Sequence, residues 1–227
     1  RPDNQRTAGL SEALQDSRDR SRDGGSARRC LRAEEDDEMT SCPFGDLAPF
    51  SFDFLMVDPP WSFETWSDRG KEKSAETHYA TMTLSAVKAL PVGHLAARDA
   101  VLWLWATHPM IDQQIGVIPA WGFRFVTSGV WVKRTANGKL SFGTGYRLRC
   151  ASEPFLIATN GDPRTARTVR TVIEGKVRRH SEKPEEAFAA AEEMMPTARR
   201  VEIFSRTDRA GWSSWGLEAG KFGRAAE

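Results

Sequence analysis

Short continuous apolar runs recur along the chain, separated by longer polar stretches. Phe52–Val57 (FDFLMV) and residues 101–107 (VLWLWAT) are bounded by polar residues, the pattern of strands buried on both faces of a sheet. Residues 123–133 and 154–158 (PFLIA) predict two more strands. Residues 201–204 (VEIF), short and flanked by arginines, are still apolar enough for a central strand. Helical patterns lie between the runs, at 84–90, 108–120 and 184–195. The last of these (PEEAFAAAEEMM) has proline in its first turn and acids beside its N-terminus, where the helix dipole favours negative charge. Alternating strands and helices predict an α/β fold with a largely parallel sheet. Loops 62–79, 134–149 and 161–183 are long for a compact domain, and such loops commonly carry function. Trp103 and Trp105 alternate with Leu102 and Leu104 on one predicted strand and are expected in the core, with Trp121 and Trp131 as further packing residues.

Composition narrows this picture. A chain of 227 residues, 40% hydrophobic and 28% charged, fits one domain with a sizeable core and excludes collagen-like, wholly disordered and disulfide-scaffold classes. Residues 1–38 hold eight arginines and ten acids with almost no apolar periodicity, so they are expected to form a disordered N-terminal extension. The working domain is expected at 39–227, beginning near Met39, the first methionine. Cys30, Cys42 and Cys150 lie in no C-x-x-C pair or histidine cluster, which predicts neither a disulfide framework nor a metal site and makes a reducing cytoplasm the expected location. No apolar run approaches the length of a membrane span. The net charge of +1 conceals an asymmetry, because residues 113–180 carry twelve Lys or Arg against three acids. A basic region of that strength suits a polyanionic partner, the alternative being a plain solvated face.

The sharpest chemical feature is Asp58-Pro59-Pro60-Trp61, placed directly at the end of the FDFLMV strand. In open α/β sheets the ligand crevice lies outside the carboxyl ends of the strands. A specified tetrapeptide arises by chance on the order of once in a thousand chains of this length. These residue types suit an exocyclic amine on a planar base. The Asp58 carboxylate and the Pro59 carbonyl are two acceptors held by proline rings with locked φ, able to take both N–H groups of the amine. That grip would aim the amine lone pair at an electrophile, while the Trp61 indole stacks on the base and anionic Asp58 attracts a cationic methyl donor.

Further motifs occur with this box. They are Tyr79-Ala-Thr-Met82, Gly143-Thr-Gly-Tyr146 followed by Glu153, Ser181-Glu-Lys-Pro184, Glu202-Ile-Phe-Ser-Arg206, and Gly211-Trp212 with Trp215-Gly-Leu-Glu218. Over about residues 46–219 the sequence resembles the MT-A70-like family of S-adenosylmethionine-dependent N6-adenine methyltransferases, with the boxes in family order. The resemblance implies a Rossmann-like methyltransferase fold in circularly permuted order, the catalytic box preceding the cofactor strand. It implies that Asp58, Pro59, Pro60 and Trp61 form the catalytic box and that Tyr79 lies on the substrate side. Lys183 would meet the methionyl carboxylate of S-adenosyl-L-methionine, with Arg206 and Glu218 around its ribose and adenosine and Phe204 packing nearby. Glu153 would brace the Gly-rich loop or orient the base, the alternative being an ion pair with a surrounding arginine.

Some positions depart from the family pattern. Leu217 stands where the family usually has Asn, which removes a polar contact to the cofactor. Arg147 replaces an aromatic after G-T-G-Y and could add a phosphate contact. Trp66 and His78, near the catalytic box, are candidates for base stacking and proton carriage, and His180 for a substrate-strand contact. The favoured function is methylation of adenine N6 in nucleic acid, DNA before RNA, with loops 134–149 and 161–179 on the phosphates. Those loops are short beside a dedicated recognition domain, so target discrimination is expected to be modest or to need a partner, either a second copy of the chain or a separate subunit. The alternatives are a catalytically silent nucleic-acid-binding subunit, and an enzyme acting on cytosine N4 or a small molecule.

Overall fold

The structure, a computed structural model, describes residues 43–62, 81–145, 147–179 and 181–216. The expected extension at 1–38 lies outside the described residues. So do Tyr79, Tyr146, Leu217, Glu218, Trp66, His78 and His180.

Among the described residues seven strands form one sheet: β1 (Phe52–Val57), β2 (Ala96–Trp105), β3 (Arg124–Arg134), β4 (Ser152–Asn160), β5 (Val172–Lys176), β6 (Arg200–Ile203) and β7 (Trp212–Trp215). Their order is β5-β3-β4-β2-β1-β6-β7. β1 pairs in parallel with β2 and β6, β6 with β7, and β3 with β5, whereas β4 is antiparallel to both β2 and β3. Every strand but β4 therefore runs the same way, as the apolar runs predicted. β6 is central, between β1 and β7.

Period-two alternation divides the core between the two faces of the sheet. On one face Leu55, Val57, Leu102, Leu104, Val201 and Ile203 pack with residues of the helical segments, among them Val87, Val117 and Ile118. These belong to α1 (Leu84–Ala89), the four-residue α3 (Val117–Ala120) and their surroundings; α2 (Ile111–Gln114) is equally short. On the other face Phe54, Met56, Trp103, Trp105, Trp131 and Phe155 meet Ala187, Phe188 and Ala191 of α4 (Glu185–Met194). Trp103, Trp105, Trp121 and Trp131 are all buried, as expected. Trp103 stacks on Phe155 with ring centroids 4.0 Å apart. Gly129 permits this packing, because a Cβ there would lie 2.2 Å from Phe155 Cζ.

Three expectations are corrected. The predicted helix at 108–120 is a 3-10 turn (His108–Met110) followed by α2 and α3. Pro109, Gly116 and Pro119 account for the break, since proline lacks the amide donor and glycine weakens helix. Loop 161–183 contains β5, an edge strand whose VIEGK buries only Ile173 and Gly175. β7 (WSSW) was not anticipated because its two central serines give no apolar run.

Candidate active site

Asp58 stands one residue beyond β1, at the edge where all the parallel strands end. Its backbone N–H donates to Ile203 O at 3.2 Å, continuing the β1–β6 ladder into the box. Trp61 N–H donates to Pro59 O at 2.9 Å, and Met82 N–H to Pro60 O at 2.8 Å, so the Pro-Pro turn is tied at both carbonyls. The Pro59 carbonyl keeps a second lone pair for another donor.

Trp61 differs from expectation. It is 4% exposed, belongs to the core, and its indole Nε1–H donates to Trp105 O at 3.2 Å. The indole found an apolar pocket and a backbone acceptor together, so in this structure it braces the Pro-Pro turn from the core side.

A chain of buried charges passes beneath the turn. Lys183 Nζ donates to Asp58 Oδ2 at 2.7 Å and lies 3.0 Å from Glu153 Oε1, with its side chain 6% exposed. Lys133 Nζ lies 2.7 Å from Glu153 Oε2 and 4.7 Å from the Trp131 ring centroid. Among the described residues, Glu153 thus pairs with two lysines. It reaches the site because β4 is antiparallel, so the beginning of that strand lies beside the ends of β2 and β3.

Burial opposes every charge here, and the partners decide which survives. It pushes Glu153 up, but Lys183 and Lys133 outweigh it and bring the carboxyl down to about 2. It works against the Lys183 ammonium, but Asp58 and Glu153 outweigh it and hold the lysine above its ordinary value. Burial leaves Asp58 above the ordinary carboxylate value; Lys183, which it shares with Glu153, only partly offsets this, and the Glu153 charge adds to the rise. Glu202 on β6 is raised to about 7, mainly by burial. Ser205 Oγ donates to Glu202 Oε2 at 2.7 Å, which limits that rise.

These groups face a cleft lined by Asp58, Lys183, Glu202, Phe204, Arg206 and Arg209. Phe204 (φ 67°) and Ser181 (φ 61°) line it too, and both hold left-handed conformations uncommon for residues with a Cβ. Phe204 packs edge-on against Trp215, their centroids 5.5 Å apart. Arg178 and Arg209 pair with Glu185, and Arg178 also with Glu182, to form the rim. Arg147 is exposed on the loop between β3 and β4. The structure therefore brings together Asp58, Lys183, Glu153, Phe204 and Arg206. It adds Glu202, whose signal was its place in the E-I-F-S-R motif, and Lys133, which had none beyond a polar end to an apolar strand.

A mostly parallel sheet with an Asp-Pro-Pro-Trp turn and an acid–lysine network at its carboxyl edge defines a Rossmann-like methyltransferase domain. The chain belongs to the MT-A70 family, whose sequence profile matches residues 52–218. It is 29% identical over 194 residues to the Type II methyltransferase M.MunI of Mycoplasma sp, covering 77% of this chain and 81% of that protein. It is 32% identical over 171 residues to an N(6)-adenosine-methyltransferase MT-A70-like protein of Arabidopsis thaliana, covering 73% of this chain but 23% of the plant protein. It is 27% identical over 181 residues to the N6-methyladenosine RNA methyltransferase MTA1 of Cryphonectria parasitica, covering 75% and 52%. The chain thus spans most of the first relative, about a quarter of the second and about half of the third. Among the described residues no helix is long and apolar enough to cross a membrane.

Proposed function

We propose that this chain transfers the methyl group of S-adenosyl-L-methionine to the N6 amine of adenine in nucleic acid, with DNA the favoured polymer. The observation that carries the reading is the Asp58 carboxylate, fixed by the strand ladder at the mouth of a cleft rich in paired charges. DNA is favoured because the match extends over most of M.MunI, a Type II methyltransferase, but reaches only part of the adenosine and RNA enzymes.

The residues of the cleft fit a zwitterionic sulfonium cofactor. Lys183 suits its carboxylate, Asp58 and Glu202 its cationic centres, Arg206 its ribose and adenosine, and Phe204 an apolar portion. When bound, the cofactor supplies an electrophilic methyl on a cationic sulfur. Asp58 and the Pro59 carbonyl accept the two N–H groups of the adenine amine, leaving its lone pair directed at that methyl. The methyl would pass to the amine with the bonding electrons left on sulfur, and Asp58 or water would take up the amine proton. Glu153 holds Lys183 in place, and Lys133 holds Glu153. Asp58→Asn keeps the shape and loses the anion. It should abolish methylation while only partly weakening cofactor binding, measured by labelled-methyl transfer and by calorimetry; full activity would sink the amine-acceptor role.

A further inference from the structure

The two most exposed large hydrophobic residues among those described sit in one loop. Phe142 is 77% and Leu148 85% exposed, and both lie between β3 and β4. From residue 134 to 149 this segment carries Arg134, Lys139, Arg147 and Arg149 and no acid. Apolar side chains displayed among cations do not suit an apolar core; they suit a partner that is anionic outside and stacked inside. The display is also braced. Ser141 N–H donates to Lys133 O at 2.8 Å, Gly143 N–H to Cys150 O at 2.8 Å and Cys150 N–H to Thr144 O at 3.0 Å. A Cβ at Gly145 would lie 1.9 Å from Leu148 O, so the turn below Leu148 closes as tightly as backbone permits. The Arg149 guanidinium lies 4.7 Å from the Phe142 ring centroid, leaving a cation stacked on one face of the aromatic.

The stems of this loop belong to the active site. Lys133, at one stem, pairs with Glu153, two residues beyond the other, and Glu153 shares Lys183 with Asp58. A base whose amine reaches Asp58 must leave its stack, and the vacancy it leaves costs stacking energy unless something fills it. Apolar side chains are the usual wedge in a base step, and flanking cations hold the adjacent phosphates.

We propose that Phe142 and Leu148 form an unstacking wedge that enters the duplex as the target adenine is extruded, while Arg147 and Arg149 hold the flanking phosphates. The substrate of the site is then double-stranded nucleic acid. The inference rests on the proposed methyltransferase reading and goes beyond it in naming the strand state and the residues that read it.

Native and heat-denatured genomic DNA, incubated with the full chain and labelled S-adenosylmethionine, test both without knowledge of the target sequence. Phe142→Ala and Leu148→Ala should each lower labelling of native DNA about tenfold while leaving denatured DNA within about twofold of wild type, since the denatured strand has no stack to open. Both side chains are exposed, so the thermal midpoint should not move. A wild-type protein that labels only denatured DNA overturns the wedge and leaves the methyltransferase reading standing. Equal losses on both substrates also overturn it, and if light scattering then shows a change of assembly state the patch is a protein–protein contact. A wild-type protein that labels neither, nor RNA, overturns the methyltransferase reading and the wedge with it.

Discussion

Lys183 Nζ lies 2.7 Å from Asp58 Oδ2, so the ammonium proposed to receive an incoming carboxylate already occupies one oxygen of the Asp58 side chain. On the proposed mechanism, cofactor and substrate would therefore compete for the two ends of one ion pair. An anion that drew Lys183 towards itself would free Asp58 Oδ2 for the amine, which would favour binding of the cofactor before the base.

Removing this cation leaves Asp58 and Glu153 facing each other in a buried site. Lys183→Met should cost about 3–5 kcal/mol in chemical denaturation, because an uncompensated buried charge is worse than no pair. The deficit should shrink as pH falls, since Asp58, already raised by burial, takes up a proton first.

Glu202 gives a pH signature of the opposite kind. Its ordinary value is 4.5 and its folded value about 7, so the folded state favours the protonated form and the protein loses stability as pH rises between the two. Glu202→Gln retains an acceptor for Ser205 Oγ and removes the penalty. At pH 8 it should be more stable than wild type by about 1–3 kcal/mol, and at pH 4 no more stable. Thermal melts at both values are the measurement.

Trp61→Phe separates brace from stacking platform. The variant keeps a buried ring and loses the hydrogen bond to Trp105 O, leaving that carbonyl unsatisfied. It should lose about 1–2 kcal/mol of stability, with KM for nucleic acid unchanged. A large rise in KM at unchanged stability would restore the base-stacking role.

Lys133→Met takes from Glu153 one of its two cations. Wild-type Glu153, lowered from 4.5 to about 2, contributes stability that is present above pH 4.5 and lost as pH falls towards 2. The variant should be weaker by about 1 kcal/mol near neutrality, a figure kept small because the lysine is partly exposed, and the difference should close in acid. Lys133→Arg should restore both stability and turnover.

Strands buried on both faces are legible in the sequence because their apolar runs leave no other reading. Phe52–Val57 begins and ends where β1 does. Edge strands are not, because β5 needs only Ile173 inside and β7 carries two serines. The Asp58 box and Lys183 could be read because their residue types and order are specific. Lys133 could not, since only the folding back of β4 places Glu153 against it, and no linear pattern records that pairing. Trp61 shows the reverse limit: its place at the end of β1 could be read, but an indole between a core and a cleft is settled by which side offers its N–H an acceptor.

Because β3 leaves and β4 returns at the same margin of the sheet, residues added between 141 and 150 change only that margin and leave the pairing of β3 with β4 intact. The segment is thus a natural graft point, where the chain can be lengthened or exchanged without refolding the sheet.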